Sequence, residues 1–363
     1  MTKSSVYLLF LATFLGLTAC QSLKETTIEY MVPGEVSFPN NLRRVAIVDN
    51  TNTLLDRRPD GKKSEPNHLI VSEATAYPLG ISEVATESLA KEITSQNYFD
   101  EVIICDSALR VYDKYNREQQ LSTNEVNQLA ENLNADFIIA LESVPLKLKR
   151  TLQYVPEFAA FQTIVQSTIY PKISIYIPNR QGAMTSFISC DSLQWEAFGA
   201  SETEARLYTI PDTAALRISS EYAGTIPVKR IVPHWKSDIR RFYSGGSTIM
   251  RDAEIYIKEE NWNGAFNIWN KLFQATKNDK KKMRLAHNIA LYYEMSDNLD
   301  QAEEWATKAQ GFARQVEHVG ELNINPQKVQ SIRNYLMISL YIEELKIRKN
   351  NLPKLQLQMN RFE

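Results

Sequence analysis

Apolar residues in the first half of the chain fall into short continuous runs separated by stretches with helical spacing. The run Arg44–Asp49 is mostly aliphatic, which is typical of a strand covered on both faces. Apolar positions at helical spacing predict a helix from about Ser82 to Gln96, and strands are predicted at Val102–Cys105 and Phe137–Leu141. Because strands alternate with helices, the pattern favours a mostly parallel sheet with right-handed crossovers.

The helix between the second and third of these strands carries signals at both ends. Ser122 and Glu125 have the spacing of a capping box, and Leu121 and Val126 have the spacing of a hydrophobic staple. Asn134 fits the left-handed residue that often closes a helix. We therefore predict a helix that begins after Ser122 and ends near Asn134.

Polar residues dominate the stretch 50–67, which is longer than most connections and is interpreted as a mobile or functional loop. Beyond Leu146 the apolar period changes to two. Ile173–Ile177 and Thr185–Cys190 flank a turn and predict an antiparallel hairpin, which a strand at Leu193–Ala197 would extend. Pro211 is placed to open a further helix. Residues 41–243 are therefore predicted to form an α/β (or α+β) domain.

The last third of the chain contains an internal repeat with an offset of 37 residues. A small residue at such positions lets two antiparallel helices approach closely, while the aromatic residue fills the groove above it. The matched pairs are Ala253 with Ala290, Tyr256 with Tyr293, Trp262 with Leu299, and Ala265 with Ala302.

The segments Asn261–Ala265 and Asn298–Ala302 resemble the inter-helix turn and second-helix start of the tetratricopeptide repeat. This resemblance implies an all-α TPR-like helical-repeat domain over residues 244–363, although an ordinary helical bundle is the alternative. A terminal capping pair is predicted, its second helix beginning near Leu352–Leu355. The resemblance also implies a concave face that binds a protein or peptide client. The residues expected on that face are Met250, Glu254, Ile257, Lys258, Arg284, His287, Leu291, Glu294 and Met295.

The N-terminus has a basic start and the apolar run Val6–Leu17, which is too short to span a bilayer as a helix. The small residues that follow identify Leu17–Cys20 as a bacterial lipoprotein signal, so residues 1–19 are predicted to be a signal peptide. The resemblance implies that Cys20 carries three acyl chains, which together anchor a protein permanently. Residues 20–40 are predicted to form the tether. Gln21 favours the outer membrane, and the periplasmic face is preferred.

Composition limits the function classes. The chain has 363 residues, enough for two domains, with 44% hydrophobic and 23% charged residues. The formal net charge is −2, without a basic block long enough to follow phosphates, so no nucleic-acid partner is expected. Apart from Cys20, the cysteines are Cys105 and Cys190, and the residues leave open whether these two form a disulfide.

No catalytic motif is recognised in the sequence. The four histidines, His68, His234, His287 and His318, are scattered, and none has the spacing of a zinc site. No nucleophile elbow, phosphate-binding glycine loop or dinucleotide fingerprint occurs, so no catalytic residue, metal or cofactor is predicted.

The chain as a whole resembles Gram-negative outer-membrane lipoproteins that join an α/β domain to tetratricopeptide repeats. We therefore expect a lipid-anchored, non-enzymatic adaptor that binds other proteins. One version of this hypothesis is that the adaptor also forms a homo-oligomer. The α/β segments also resemble the domains of curli-secretion-type subunits. In that alternative, a subunit of an assembly or secretion complex, residues 152–177 would insert as amphipathic strands once a ring assembled. A third alternative is a hydrolase that uses separated residues such as Asp49, His68 and Asp191.

Overall fold

The structure is a computed structural model that describes residues 23–52, 59–64, 71–77, 81–105, 107–110, 120–320 and 326–362. Its described residues divide into two compact units. The first, called the helical unit, joins the residues up to Val32 with Trp235–Leu357. The second, called the α/β unit, joins Pro33–His234 with the residues from Gln358 onward. Cys20 and His68 lie outside the described residues.

The elements form a β-rich first part and a last part that is helical after one strand. The first element of the described residues is β1 (Leu23–Val32). The α/β unit then contains β2 (Arg44–Asp49), β3 (Pro59–Ser64), β4 (Val71–Tyr77), α1 (Ser82–Ser95), β5 (Glu101–Ile104), α2 (Thr123–Asn132), β6 (Phe137–Ser143), β7 (Leu146–Val155), β8 (Ala160–Ile169), β9 (Lys172–Tyr176), β10 (Thr185–Ile188), β11 (Asp191–Gly199), α3 (Glu202–Leu207), α4 (Asp212–Thr225) and α5 (Val228–Ile231). The last part contains β12 (His234–Tyr243), α6 (Thr248–Lys258), α7 (Trp262–Ala275), α8 (Asp279–Met295), α9 (Leu299–Val316) and α10 (Arg333–Met359).

One five-stranded sheet of the α/β unit has the order β10-β9-β6-β2-β5. Its strand β2 runs parallel to β5 on one side and to β6 on the other, with Val45 opposite both Val102 and Phe137. Strands β9 and β10 are antiparallel. The sheet is therefore mixed rather than mostly parallel, and the predicted first, second and third strands and the hairpin are confirmed.

The predicted helices α1 and α2 are confirmed, and so is the capping box. The Ser122 side chain accepts a hydrogen bond from the Glu125 backbone N–H, and the Glu125 carboxylate accepts one from the Ser122 backbone N–H. Asn134 adopts the predicted left-handed conformation, with φ of 51°. These local signals work because a helix end must satisfy its free backbone groups with nearby side chains.

A second, antiparallel sheet of the α/β unit has the order β11-β8-β7-β4-β3. Two predictions are wrong here. Residues 59–64, expected in a polar loop, form β3, and β11 pairs with β8, with Trp195 opposite Val165, instead of extending the β9–β10 hairpin. The prediction of sheet membership failed because pairing depends on which distant strand lies alongside, and that information is absent from a local pattern.

In the helical unit, β1 and β12 form a two-stranded sheet. The predicted tether over residues 20–40 is therefore wrong for residues 23–32, and β12 groups with the helical unit although it lies before the predicted boundary after residue 243. The strand forms because β12 offers an edge with free backbone groups, and β1 pairs with that edge. If residues 23–32 were a tether in solvent, these groups would bond to water instead.

Two helix hairpins of the helical unit repeat with the predicted offset of 37 residues. Helices α7 and α9 begin at Trp262 and Leu299, each with an asparagine N-cap, and the left-handed residues Glu260 and Asp297 precede them. Helix α10, in contrast, continues through Pro353, so the second capping helix predicted near Leu352–Leu355 does not form separately. None of the helices in the described ranges has the length and apolar content needed to cross a membrane.

Candidate functional site

The nine residues predicted to form a concave binding face lie on α6 and α8. Five of these side chains are buried rather than displayed on an open face: Met250, Ile257, His287, Leu291 and Glu294. For the residues on α8, one reason is that β12 and α10 pack on that helix, as hydrogen bonds from Arg240, Tyr341 and Arg348 to Glu294 demonstrate. A pattern of repeats does not reveal that the same chain covers their inner face.

Glu294 is fully buried and lies at the centre of a hydrogen-bonded charge cluster. Arg240 donates from Nε and one terminal nitrogen to the carboxylate at 2.9–3.1 Å, and Arg348 donates at 3.2 Å. Tyr341 donates its hydroxyl at 2.9 Å. Burial alone would lower the pKa of Arg240, but the bond to Glu294 and its charge raise that pKa above the usual value. The cluster links β12, α8 and α10, because arginines of β12 and α10 compensate the carboxylate charge on α8.

Beside this cluster lies a cleft of about 440 Å³, called the β12 cleft. The cleft contains the predicted residues His287 and Leu291, together with exposed Ile239 and Leu340 and the basic side chains Arg241 and Arg333. The remaining lining residues are Arg240, Met337, Tyr341 and Glu344.

His287 lies in the wall of the β12 cleft and is bonded there to the backbone of β12. Its Nε2 lies 2.8 Å from the carbonyl oxygen of Arg241, so Nε2 carries the proton and donates it. Its Nδ1 is buried and has no hydrogen-bond partner among the residues that the structure describes. Burial lowers the pKa of His287, while the bond to Arg241 and the charge of Glu294 oppose this shift only in part.

A second cleft of about 330 Å³, called the α6 cleft, brings the predicted residues Met250 and Arg284 together. The Ser247 side chain accepts a hydrogen bond from the Met250 backbone N–H and thereby caps α6. Lys281 and Arg284 supply positive charge, and neither forms an ion pair within the described ranges. The apolar lining consists of Ile249, Met250, Leu272, Ala275 and Leu285.

The α6 cleft has the composition of a site for a mixed acidic and apolar ligand. Its described lining contains no acidic side chain, and the Nε of Arg284 is buried without a hydrogen-bond partner in that part of the chain. The Arg284 guanidinium lies 5.8 Å from the centre of the Tyr243 ring, which positions it without neutralising it. A carboxylate would neutralise the arginine and lysine while neighbouring apolar groups cover the cleft floor.

The three remaining predicted residues line neither cleft. Glu254 and Lys258 form an ion pair of 2.9 Å along α6, and Met295 ends α8 with its side chain partly buried. The hydrogen bond from Lys258 is the main cause that lowers the pKa of Glu254. The structure thus distributes the predicted face over a core, two clefts and a surface ion pair.

The α/β unit has a polar cleft of about 490 Å³ at the carboxyl ends of β2 and β5. Asp49 lines it, and Thr51 donates two hydrogen bonds to the same oxygen of that carboxylate. Close by, Asn50 and Tyr176 donate to the buried Glu142, whose pKa is nevertheless raised by burial. Among the described residues, no group of histidine, cysteine or acidic side chains is arranged to hold a metal ion.

Of the other two residues in the hydrolase hypothesis, Asp191 does not line the cleft of Asp49, and His68 is not among the described residues. Asp191 accepts a hydrogen bond from Tyr222 and raises the pKa of that tyrosine to about 12, with burial as a second cause. Cys105, which lines the Asp49 cleft, and the exposed Cys190 are both free thiols.

Sequence reasoning missed Arg240, Tyr341 and Arg348, the partners of Glu294. Arg240 lies in the stretch 227–243, where arginines alternate with aromatic residues, and this enrichment is the one local signal that marked it. Tyr341 and Arg348 are seven residues apart, so they share a face of α10. A search for buried charge would have needed the positions of all three elements.

Comparison with known proteins divides the chain near the boundary that the sequence predicts, after residue 243. A domain of unknown function, DUF8603, matches residues 42–243, and a second, DUF6340, matches residues 251–347. No curated protein sequence matches the chain.

Proposed function

The chain belongs to the DUF8603 family, and we propose that it is a lipid-anchored lipoprotein of the cell envelope that acts as a non-enzymatic adaptor. In this proposal Cys20 carries the lipid, the outer membrane holds the protein on its periplasmic face, and the helical unit binds a segment of another protein. The α/β unit provides a structural contact or a homo-oligomer interface.

The α6 cleft is the observation that carries the adaptor proposal. It combines two cations that lack ion-pair partners in the described chain, Lys281 and Arg284, with an apolar floor. Such a surface fits a client segment in which acidic residues alternate with apolar ones. Buried arginine-centred contacts commonly contribute much of the affinity of an interface.

We further propose that the helix hairpins are TPR-like repeats. Their 37-residue offset, the buried Ala253, Ala265, Ala290 and Ala302, and the repeated asparagine caps support this interpretation. With β12 and α10 covering α8, the client occupies the clefts beside the covered face, which differs from an open groove.

A subunit of an envelope assembly or secretion complex is the second candidate. The observation that favours it is a group of aromatic residues at the β7–β8 turn and on β11, of which Tyr154, Phe158 and Phe198 are exposed. The rings of Phe158 and Phe198 are 5.7 Å apart. Tyr154 and Phe161 form a second ring pair at 5.2 Å. Exposed aromatic residues of this kind are typical of interaction surfaces. Ring-shaped particles of the full chain in detergent would favour this candidate over the adaptor.

The lipid anchor is tested by Cys20→Ser. We expect the native chain to incorporate labelled palmitate and to float with outer-membrane vesicles, and we expect the variant to lose both properties. Because Cys20 precedes β1 in sequence, circular dichroism of the variant should be unchanged. An unlabelled native chain that stays in the soluble fraction would overturn the anchor.

The client site is tested by a photo-crosslinking amino acid at Lys281 in intact cells, with Lys346 as the matched exposed control on α10. Mass spectrometry should map the Lys281 adduct to a client segment that contains carboxylates, and the control should not give that adduct. A synthetic peptide of the mapped segment should bind the purified chain.

The charge of the cleft is then tested with Arg284→Glu. We expect this variant to bind the peptide about 10- to 100-fold more weakly, because one charge-assisted contact becomes a repulsion. The expected weakening should shrink at high salt. Equal affinity for both proteins, or a mapped segment without acidic residues, would overturn the adaptor site.

A further inference from the structure

Strand β1 connects the lipid-bearing end of the chain directly to the helical unit. Along the strand, Tyr30 donates its hydroxyl to Asp238 of β12, and Glu25 forms an ion pair of 3.0 Å with Arg241. The side chain of Leu23 packs on the core that includes Tyr243. The order of these contacts is antiparallel, so the start of β1 lies at the end of β12.

The number of residues between Cys20 and β1 limits how far this end can lie from the lipid. Leu23 is the third residue after Cys20, and three residues span at most about 11 Å. The strand itself rises about 3.3 Å per residue, so Tyr30 lies about 23 Å farther along it. The start of β1 is therefore much closer to the acylated residue than the Tyr30 end is.

The end of the helical unit around the start of β1 is called the anchor end and is defined by Leu23, Lys24, Tyr243, Glu254 and Lys258. Lys258 forms an ion pair of 2.9 Å with Glu254, and the charge of Lys24 makes a smaller contribution to the lowered pKa of Glu254. The Lys258 side chain is 71% exposed and directs a cation toward solvent.

The α6 cleft belongs to the same end. Gly245, Gly246 and Ser247 form part of its wall and follow Tyr243 within four residues. Arg284 lines the same cleft, and its guanidinium lies 5.8 Å from the centre of the Tyr243 ring. A ligand in the α6 cleft is consequently held next to the first residue of β1.

We propose that the lipid anchor seats the anchor end on the headgroup surface of the bilayer, so that the α6 cleft receives a membrane-proximal acidic segment of another membrane-bound protein. This inference rests on the proposed lipidation of Cys20. The bilayer is the occupant because the connection from the lipid to Leu23 is shorter than the strand that follows.

The test uses the full lipidated chain reconstituted in vesicles of phosphatidylethanolamine and phosphatidylglycerol. In a Cys105→Ser, Cys190→Ser background, Lys258→Cys and Lys346→Cys each carry the same fluorophore. Both lysines are exposed on helices and pair with one glutamate of the same helix. Lys346 precedes by two residues Arg348, whose guanidinium lies 4.4 Å from the centre of the Tyr30 ring at the other end of β1.

We expect quencher lipids with labelled headgroups to reduce the fluorescence at position 258 at least twofold more than at position 346. Labels at Lys24→Cys and Glu29→Cys, both exposed on β1, provide a second pair that should show the same order. Equal quenching of a vesicle-bound protein, or stronger quenching at position 346, overturns this inference. A protein that carries no lipid and does not float overturns the proposed anchor instead.

A spacer experiment links this orientation to the client. Twenty glycine and serine residues inserted before Leu23 should preserve flotation, remove the quenching difference and reduce the Lys281 crosslink at least fivefold. The same spacer after Gly182 is the control, because Gly182 lies in a turn with no atom within 4 Å of its would-be Cβ. An undiminished crosslink with the first spacer, to the same client, contradicts a membrane-proximal segment.

Discussion

Arg240 and Glu294 form a buried ion pair in which the arginine donates three hydrogen bonds to the carboxylate. They are 54 residues apart in sequence and join strand β12 to helix α8. Arg348 supplies a second cation to the same carboxylate, at 3.2 Å. A side chain predicted to face a client is therefore part of the interior, where its charge is needed by two arginines.

Replacement of that carboxylate should destabilise the helical unit strongly. Glu294→Gln leaves Arg240 and Arg348 buried with too little negative charge, which costs about 3–5 kcal/mol. Urea denaturation followed by circular dichroism should show the helical transition at a clearly lower urea concentration. The matched control Glu343→Gln removes a 65% exposed partner of Lys346 and should leave the midpoint unchanged. Equal midpoints for both variants would contradict the role of Glu294.

Acid should destabilise the protein through His287. Burial lowers the pKa of His287 below the ordinary 6.5, so the unfolded state binds a proton that the folded state does not bind. Stability is therefore fully present above about pH 6.5 and falls as the pH decreases below that value. His287→Gln should show a smaller loss of thermal midpoint between pH 7.5 and 5.5 than the native chain. His318→Gln, at an exposed histidine, is the control, and identical pH profiles for all three proteins would refute the assignment.

Two glycines should respond in opposite ways to alanine. In Gly224→Ala the new Cβ would lie 2.3 Å from the carbonyl oxygen of Ala85, so α4 must move away from α1. We expect a loss of about 1–3 kcal/mol. Gly311, inside α9, has open space around its would-be Cβ, and Gly311→Ala should stabilise by about 0.5–1 kcal/mol. Thermal denaturation distinguishes the two, and a neutral Gly224→Ala would contradict the close helix contact.

Thiol labelling should show that both cysteines of the α/β unit are reduced. Cys105 and Cys190 are free, and Cys190 is exposed whereas Cys105 is partly buried. A maleimide should therefore modify Cys190 faster in the native protein, and both thiols should react after denaturation without reductant. Cys190→Ser should remove the fast phase. A mass two hydrogens lower than expected, with no reactive thiol, would indicate a disulfide instead.

Local signals predicted much of the α/β unit because they act within a few residues. The Ser122 capping box, the left-handed Asn134 and the buried run Arg44–Asp49 each depend on neighbours in sequence, and each was confirmed. The second sheet was largely missed because β11 and β3 are placed by distant strands. Strand pairing depends on tertiary structure, even when the strand itself can be recognised from the sequence.

The binding face shows the same limit more sharply. Met250 and Arg284 do meet in one cleft, yet five of the nine predicted residues are buried, and one of them, Glu294 on α8, is bonded to β12 and α10. An amphipathic pattern reports that a helix face is suited to contact, without identifying whether the contact is a client or another part of the chain.

By itself, the sequence determined the strand and helix pattern of the first sheet, the 37-residue period of the helix hairpins and the caps at which those helices begin. These features depend on interactions between residues close together in the chain, so a linear pattern contains them. Only the tertiary structure decided that β1 pairs with β12, that Glu294 is buried between two arginines, and that Lys281 and Arg284 meet in one cleft. Each of these depends on which distant groups exclude water from one another, and a linear pattern does not contain that information.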